Sequence, residues 1–108
     1  MPYEDKKRAA HRALVDRVLN GKGTTSADQR ARAFRNADVP PPLHPLIDKV
    51  ATRPTQVTGA DFAAAKASGF SEDQLFELVI SAAVGQSARQ YDAGLAALAE
   101  ATGSEEAG

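Results

Sequence analysis

Residues 58–85, TGADFAAAKASGFSEDQLFELVISAAVG, constrain the fold more than any other stretch, because they specify two helices and the turn between them. Thr58 supplies a side-chain acceptor at a helix start. Gly69 stands where the chain leaves that helix through a left-handed residue. Ser71 and Gln74 form an S-x-x-Q capping box, and Glu72 and Asp73 set negative charge against the positive end of the next helix dipole. Phe70, just before the cap, is spaced to staple onto Leu75. The second helix carries Leu75, Phe76, Leu78, Val79, Ile80 and Val84, which occupy most of its circumference. A helix of that kind must be covered on more than one side. In a chain of 108 residues it must be central or shared with a neighbouring subunit.

The flanking segments read as helices too. Tyr3 to Asn20 carries a stripe of Ala10, Leu14 and Val18, widened by Val15 and Leu19, and Gly21 stops it. After the link NGKGTTS, Ser26 caps a short helix, ADQRARAFRNA, in which Phe34 is the only large anchor. Three prolines, Pro40 to Pro42, forbid helix before about Pro42, and a helix to Ala51 then presents Leu43, Leu46, Ile47 and Val50 before Arg53-Pro54 ends it. After Gly85, a last helix over Ser87 to Thr102 repeats Ala88, Tyr91, Leu95 and Leu98 along one seam. No segment alternates as a strand would, so the expected fold is all-α, a bundle of five to six helices completed by oligomerisation. The expected division is an amphipathic helix and link over 1–24, a helical core over 25–103 and a polar tail over 104–108 that frays.

Composition removes several function classes. The chain has no Cys, which excludes disulfides, thiol redox catalysis and thiolate metal ligands. It has no run of apolar residues long enough to span a bilayer, and its charged N-terminus lacks the apolar core of a secretory leader. A cytoplasmic location follows by default. Net charge is −1, with Lys and Arg concentrated in residues 1–36 and Asp and Glu in the remainder. The basic part would suit nucleic acid or an acidic partner, but without a binding motif or interleaved aromatics it reads as a solvated face, and nucleic acid is not expected.

The run DFAAAKASGFSEDQLFELVISAAVGQSARQYDAGLAAL resembles the carboxymuconolactone decarboxylase family and its AhpD-like peroxidase branch. The resemblance rests on the A-x-x-x-G helix end at Ala65 and Gly69, the Ser71-Glu72-Asp73 start, Glu77-Leu78-Val79 in an apolar helix, and the polar–Arg–small pattern from Arg89 to Leu95. It covers about the last 55 residues. It implies an all-helical oligomer whose subunits share helices. Redox members of the family carry C-x-x-C-x-x-x-H just ahead of the A-x-x-x-G. In that register the two cysteines fall on Pro54 and Val57 and the histidine on Asp61, so the spacing is kept and every reactive group is lost. A thiol peroxidase needs a thiolate and a resolving thiol, so that activity is impossible here.

Few side chains remain for chemistry. His44 precedes Asp48 by one turn, a spacing that would let a carboxylate orient an imidazole as a base. Asp61 could act as a carboxylate base in the family's pocket, or simply favour a helix start. Arg89, Tyr91 and Asp92 could line a pocket beside the central helix, where Arg89 and Tyr91 would suit an anionic ligand, while the place of Tyr91 on the apolar seam also reads as core. Glu77, inside the most apolar helix, needs a partner, and Arg89 or Arg53 is the expected one. His11 reads as a surface residue. No cofactor fingerprint is present, and His11, His44 and Asp48 lack a metal-ligand spacing, so neither a cofactor nor a metal is expected. The leading expectation is a non-catalytic accessory or scaffold subunit, a homo-oligomer supporting a partner protein or enzyme. Its interface candidates are Leu75, Phe76, Val79, Ile80, Tyr91, Leu95 and Leu98. The alternative is a small lyase or isomerase acting on a carboxylated molecule, with His44 or Asp61 as base and Arg89 as the clamp.

Overall fold

A computed structural model describes the backbone of residues 2–107 and the side chains of residues 6–102. It is all-helical. In chain order come α1 (Pro2–Asn20), α2 (Ala27–Arg35), a 3-10 turn (Pro41–Leu43), α3 (His44–Thr52), a second 3-10 turn (Pro54–Gln56), α4 (Gly59–Ala67) and α5 (Glu72–Ala107). No strand occurs among the described residues.

The helix ends follow the capping chemistry of the sequence. Ser26 starts α2 in a full capping box with Gln29, and Thr58 starts α4 in one with Asp61. The Ser71 hydroxyl accepts from the Gln74 N–H while the Ser71 N–H donates to the Gln74 side chain, at 3.1 and 2.9 Å. Gly69 takes φ 109°, the left-handed turn from α4 towards α5. Asn36 closes α2 in the same region at φ 50°, its N–H donating to the carbonyls of Ala33 and Arg32.

α5 departs from expectation. The sequence suggests two helices parted near Gly85, but one helix of 36 residues runs through that glycine. At a rise of about 1.5 Å per residue it is about 54 Å long, close to the 56 Å long axis of the molecule. It also takes in the polar stretch expected to fray, its backbone remaining helical to Ala107. Gly85 is a packing residue. A Cβ there would lie 2.7 Å from the Phe34 carbonyl carbon and 2.9 Å from its Cα, so the missing side chain is what lets the end of α2 rest on α5. One helical glycine costs only about 1 kcal/mol relative to alanine, and this crossing offsets it. α2 makes the most extensive contact with α5 of any element.

The core gathers on the inward side of α5. Leu75, Leu78 and Ala82 pack with Ala33 of α2, with Val39, with Leu43, Leu46, Ile47 and Val50 around α3, and with Ala65 of α4. Phe70 and Val57 close its edge, half-buried. α1 lies along α5 but meets it differently from the predicted stripe. Leu14 is 46% exposed and Ala10 is exposed, while His11, Val15, Val18 and Leu19 are half-buried. His11 is therefore no free surface group: its ring stacks on Tyr91 with centroids 4.3 Å apart.

Candidate functional site

The segment that holds Pro54, Val57 and Asp61 is built as a helix start. Pro54 opens an exposed 3-10 turn, and Val57 turns back onto the core. Asp61 then completes the α4 cap. Its Oδ2 accepts from the Thr58 N–H at 2.9 Å and from the Thr58 hydroxyl at 3.2 Å. The Lys49 ammonium on α3 donates to both carboxylate oxygens at 3.1 Å. The backbone N–H of Thr58 and then Lys49 hold the Asp61 carboxyl below its ordinary 3.8. A general base works best with a pKa near the operating pH, so these contacts oppose that role. Only 8% of Asp61 is exposed. Lys49 is a partner that sequence reasoning missed; its place on the inward turn of α3, twelve residues away, carries no local signal.

His44 and Asp48 lie together on an open groove of about 470 Å³, lined also by Asn36, Asp38, Val39 and Pro45. They do not form the expected pair. His44 Nε2 donates to the Val39 carbonyl at 2.5 Å, which ties the start of α3 to the segment before the prolines. Asp48 instead accepts from Asn36 and Arg53, each at 3.3 Å.

Arg89 is committed elsewhere. Its Nη1 donates to the Phe34 carbonyl at 2.7 Å, satisfying an open carbonyl in the last turn of α2, and its Nε and Nη2 donate to Gln86 at 3.3 and 3.0 Å. Arg89 thus clamps α2 onto α5 beside the Gly85 crossing. It borders a groove with His11, Arg12 and Asp92, away from the one that holds His44, and Asp61 lines neither. The structure does not bring His44, Asp61 and Arg89 into one cavity.

A second carboxylate that accepts four hydrogen bonds, as Asp61 does, belongs to Glu77. Its expected partners were Arg89 or Arg53, and neither reaches it. Its partners come from the link NGKGTTS between α1 and α2. Glu77 Oε2 accepts from the Thr24 N–H and hydroxyl, both at 2.6 Å, and Oε1 accepts from the Thr25 N–H and hydroxyl at 2.9 and 2.7 Å. Arg30, with only 8% of its side chain exposed, lies 3.8 Å from Oε1 and also donates to the carbonyls of Thr25 and Gly21. Burial alone would raise the Glu77 pKa, but the four Thr24 and Thr25 donors outweigh it and bring the value from 4.5 to about 2. Gly23 lies close beside them: a Cβ there would meet Glu77 Oε1 at 2.5 Å and Arg30 Nη1 at 2.8 Å, so a side chain would displace the ends of both. The pair ties the α1–α2 link to α5. The only hint in the sequence was a carboxylate inside an apolar helix.

The expected interface residues divide. Leu75, at 1% exposure, is spent in the chain's own core and is withdrawn as an interface residue. Val79, Tyr91 and Leu95 are half-buried. Phe76 is 64% exposed, Leu98 56% and Ile80 38%, with Phe62 of α4 at 37%. Among the described residues no three His, Cys, Asp or Glu side chains are grouped to hold a metal ion, and no helix is long and apolar enough to cross a membrane.

No family model, no curated protein and no solved structure matches this chain.

Proposed function

We propose that this protein is a non-catalytic helical subunit that works by association, an accessory or scaffold to a partner protein or enzyme, on a frame of the carboxymuconolactone decarboxylase type. One observation carries the reading. The ionisable side chains that could do chemistry are used to hold the fold, while the largest apolar side chain of α5, Phe76, stays in solvent. Asp61 caps α4, Arg89 clamps α2, Glu77 ties down the link and His44 fixes the start of α3. Exposed large apolar residues grouped on one ridge mark interaction surfaces. The family part of the proposal is supported by the A-x-x-x-G helix end and the S-x-x-Q start, with Pro54, Val57 and Asp61 standing where reactive groups would be.

The test is solution mass by light scattering on the purified full chain, together with affinity purification from its native cell. The reading expects a mass above the 11.4 kDa of one chain or a stoichiometric companion. A stable monomer without a companion, or turnover of a carboxylated substrate that is lost in His44→Ala, would contradict it.

A further inference from the structure

We infer that a small hollow between α2, the proline segment and α5 binds a short branched monocarboxylate, with the apolar end in the hollow and the carboxylate on Arg32. The site shares no lining residue with the two grooves that border Phe76, and it stands whether or not the protein associates.

The hollow has a volume of about 120 Å³. Its floor is apolar: Ala33 of α2, Leu43 and Ile47 at the start of α3, and Leu78 of α5, each at most 2% exposed. Val39 and Pro40 add to its wall. Asn36 and Asp38 take φ of 50° and 59°, a region that few residues other than glycine enter, and the turns they make carry the chain from α2 to that wall. Phe70, half-buried between α4 and α5, completes the rim. Pockets for drug-sized molecules run to about 300–1,000 Å³, so the occupant here is smaller. At about 30 Å³ for each water-sized group, the hollow has room for about four, the bulk of a branched four-carbon chain.

The polar groups at the mouth are donors. Gln29 and Arg32 lie one turn apart on α2 and both line the hollow. Gln29 Oε1 accepts from the Ser26 N–H at 3.0 Å, and among the described residues the Gln29 amide nitrogen donates to nothing. Arg32 Nε lies 3.0 Å from Asp28, yet no N–H of the guanidinium makes a hydrogen bond among the described residues. An exposed ion pair of that kind is worth little, so a ligand can compete for Arg32. The flat fork of a guanidinium matches the two oxygens of a carboxylate, and the Gln29 amide is a further donor beside it. An apolar floor sized for a few carbons, with an arginine at its edge, selects a small acid with a branched end. None of His44, Asp61 and Arg89 lines the hollow, so the ligand is held and not turned over.

The experiment is a titration of the full-length protein with 3-methylbutanoate, followed by amide chemical shifts in NMR and by thermal melting. The expected result is saturable movement of the Leu43, Ile47, Phe70 and Leu78 amides and a melting temperature that rises with ligand. Acetate, which has the carboxylate without the chain, is expected to move none of these amides. The uncharged counterpart 3-methylbutanamide is expected to bind about tenfold more weakly. Arg32→Gln, at a half-buried position on the rim, should fold as wild type does and bind the acid and the amide alike. Ala33→Leu places a four-carbon branched group in the hollow and is expected to abolish binding; Arg32→Gln keeps the site testable if that variant does not fold. No saturable movement at any soluble concentration, an equal response to acetate, or unchanged binding in Arg32→Gln would overturn the site.

Discussion

On the inward side of α5, Leu75 and Leu78 are 1% and 2% exposed and Ala82 is fully buried; on the outward side of the same turns, Phe76 is 64% and Ile80 38% exposed. The residue types are alike. What differs is the cover: α2, α3 and α4 supply an inward wall, while among the described residues only the edges of α1 and α4 border the outward ridge. A helix apolar nearly all round thus ends up half satisfied by its own chain. The lesson is that amphipathicity here is made by the neighbours a helix recruits, and that the unmatched side is where function is to be sought.

The contrast is broken most directly by truncating both faces alike. Leu78→Ala should cost about 3 kcal/mol in urea unfolding, as a buried leucine does, while Phe76→Ala in dilute protein should fall within about 0.5 kcal/mol of wild type. Equal losses would mean that the ridge is covered in the monomer. The glycines of α5 sharpen the same contrast. Gly85→Ala forces a Cβ into the Phe34 backbone and should cost about 2–3 kcal/mol through overpacking. Gly94→Ala meets nothing within 4 Å and should stabilise by about 0.5–1 kcal/mol through helix propensity. Thermal melts of the two variants should move in opposite directions.

Glu77 gives a prediction in pH. Its folded pKa lies below its unfolded one, so the unfolded chain takes up the proton first. The stability it supplies is complete above about pH 5 and is lost as pH falls from the ordinary 4.5 through about 2. Its side chain is 23% exposed, so the contribution is about 2 kcal/mol after allowance for solvent screening. Glu77→Gln should lose that amount at neutral pH and flatten the acid limb of a stability–pH profile. An acid limb unchanged in the variant would remove Glu77 from the account.

Local chemistry was the legible part of this fold. Thr58, Gly69 and the Ser71–Gln74 box act within three or four residues, so sequence alone places them. Leu43, Leu46, Ile47 and Val50 were legible for the same reason, since their spacing puts them on one buried face. Long-range facts were not. Gly85 carries the signature of a helix stop and is a crossing point because Phe34, far away in sequence, rests on it. Glu77 found Thr24 and Thr25 more than fifty residues away rather than an arginine. The α1 stripe was misphased because α1 is covered along one side only, so Leu14 could remain in solvent at little cost. At the candidate site, Asp61 was legible as a residue that favours a helix start, but the Lys49 ion pair that fixes it as a cap required the packing of α3 against α4.

Association through the apolar side that α5 leaves exposed is tested most directly by the solution mass of the full-length protein, measured by light scattering over about a hundredfold range of concentration and again after affinity purification from its native cell. The account predicts a mass above the 11.4 kDa of one chain or a stoichiometric companion. A monomer without a companion at every concentration would contradict it.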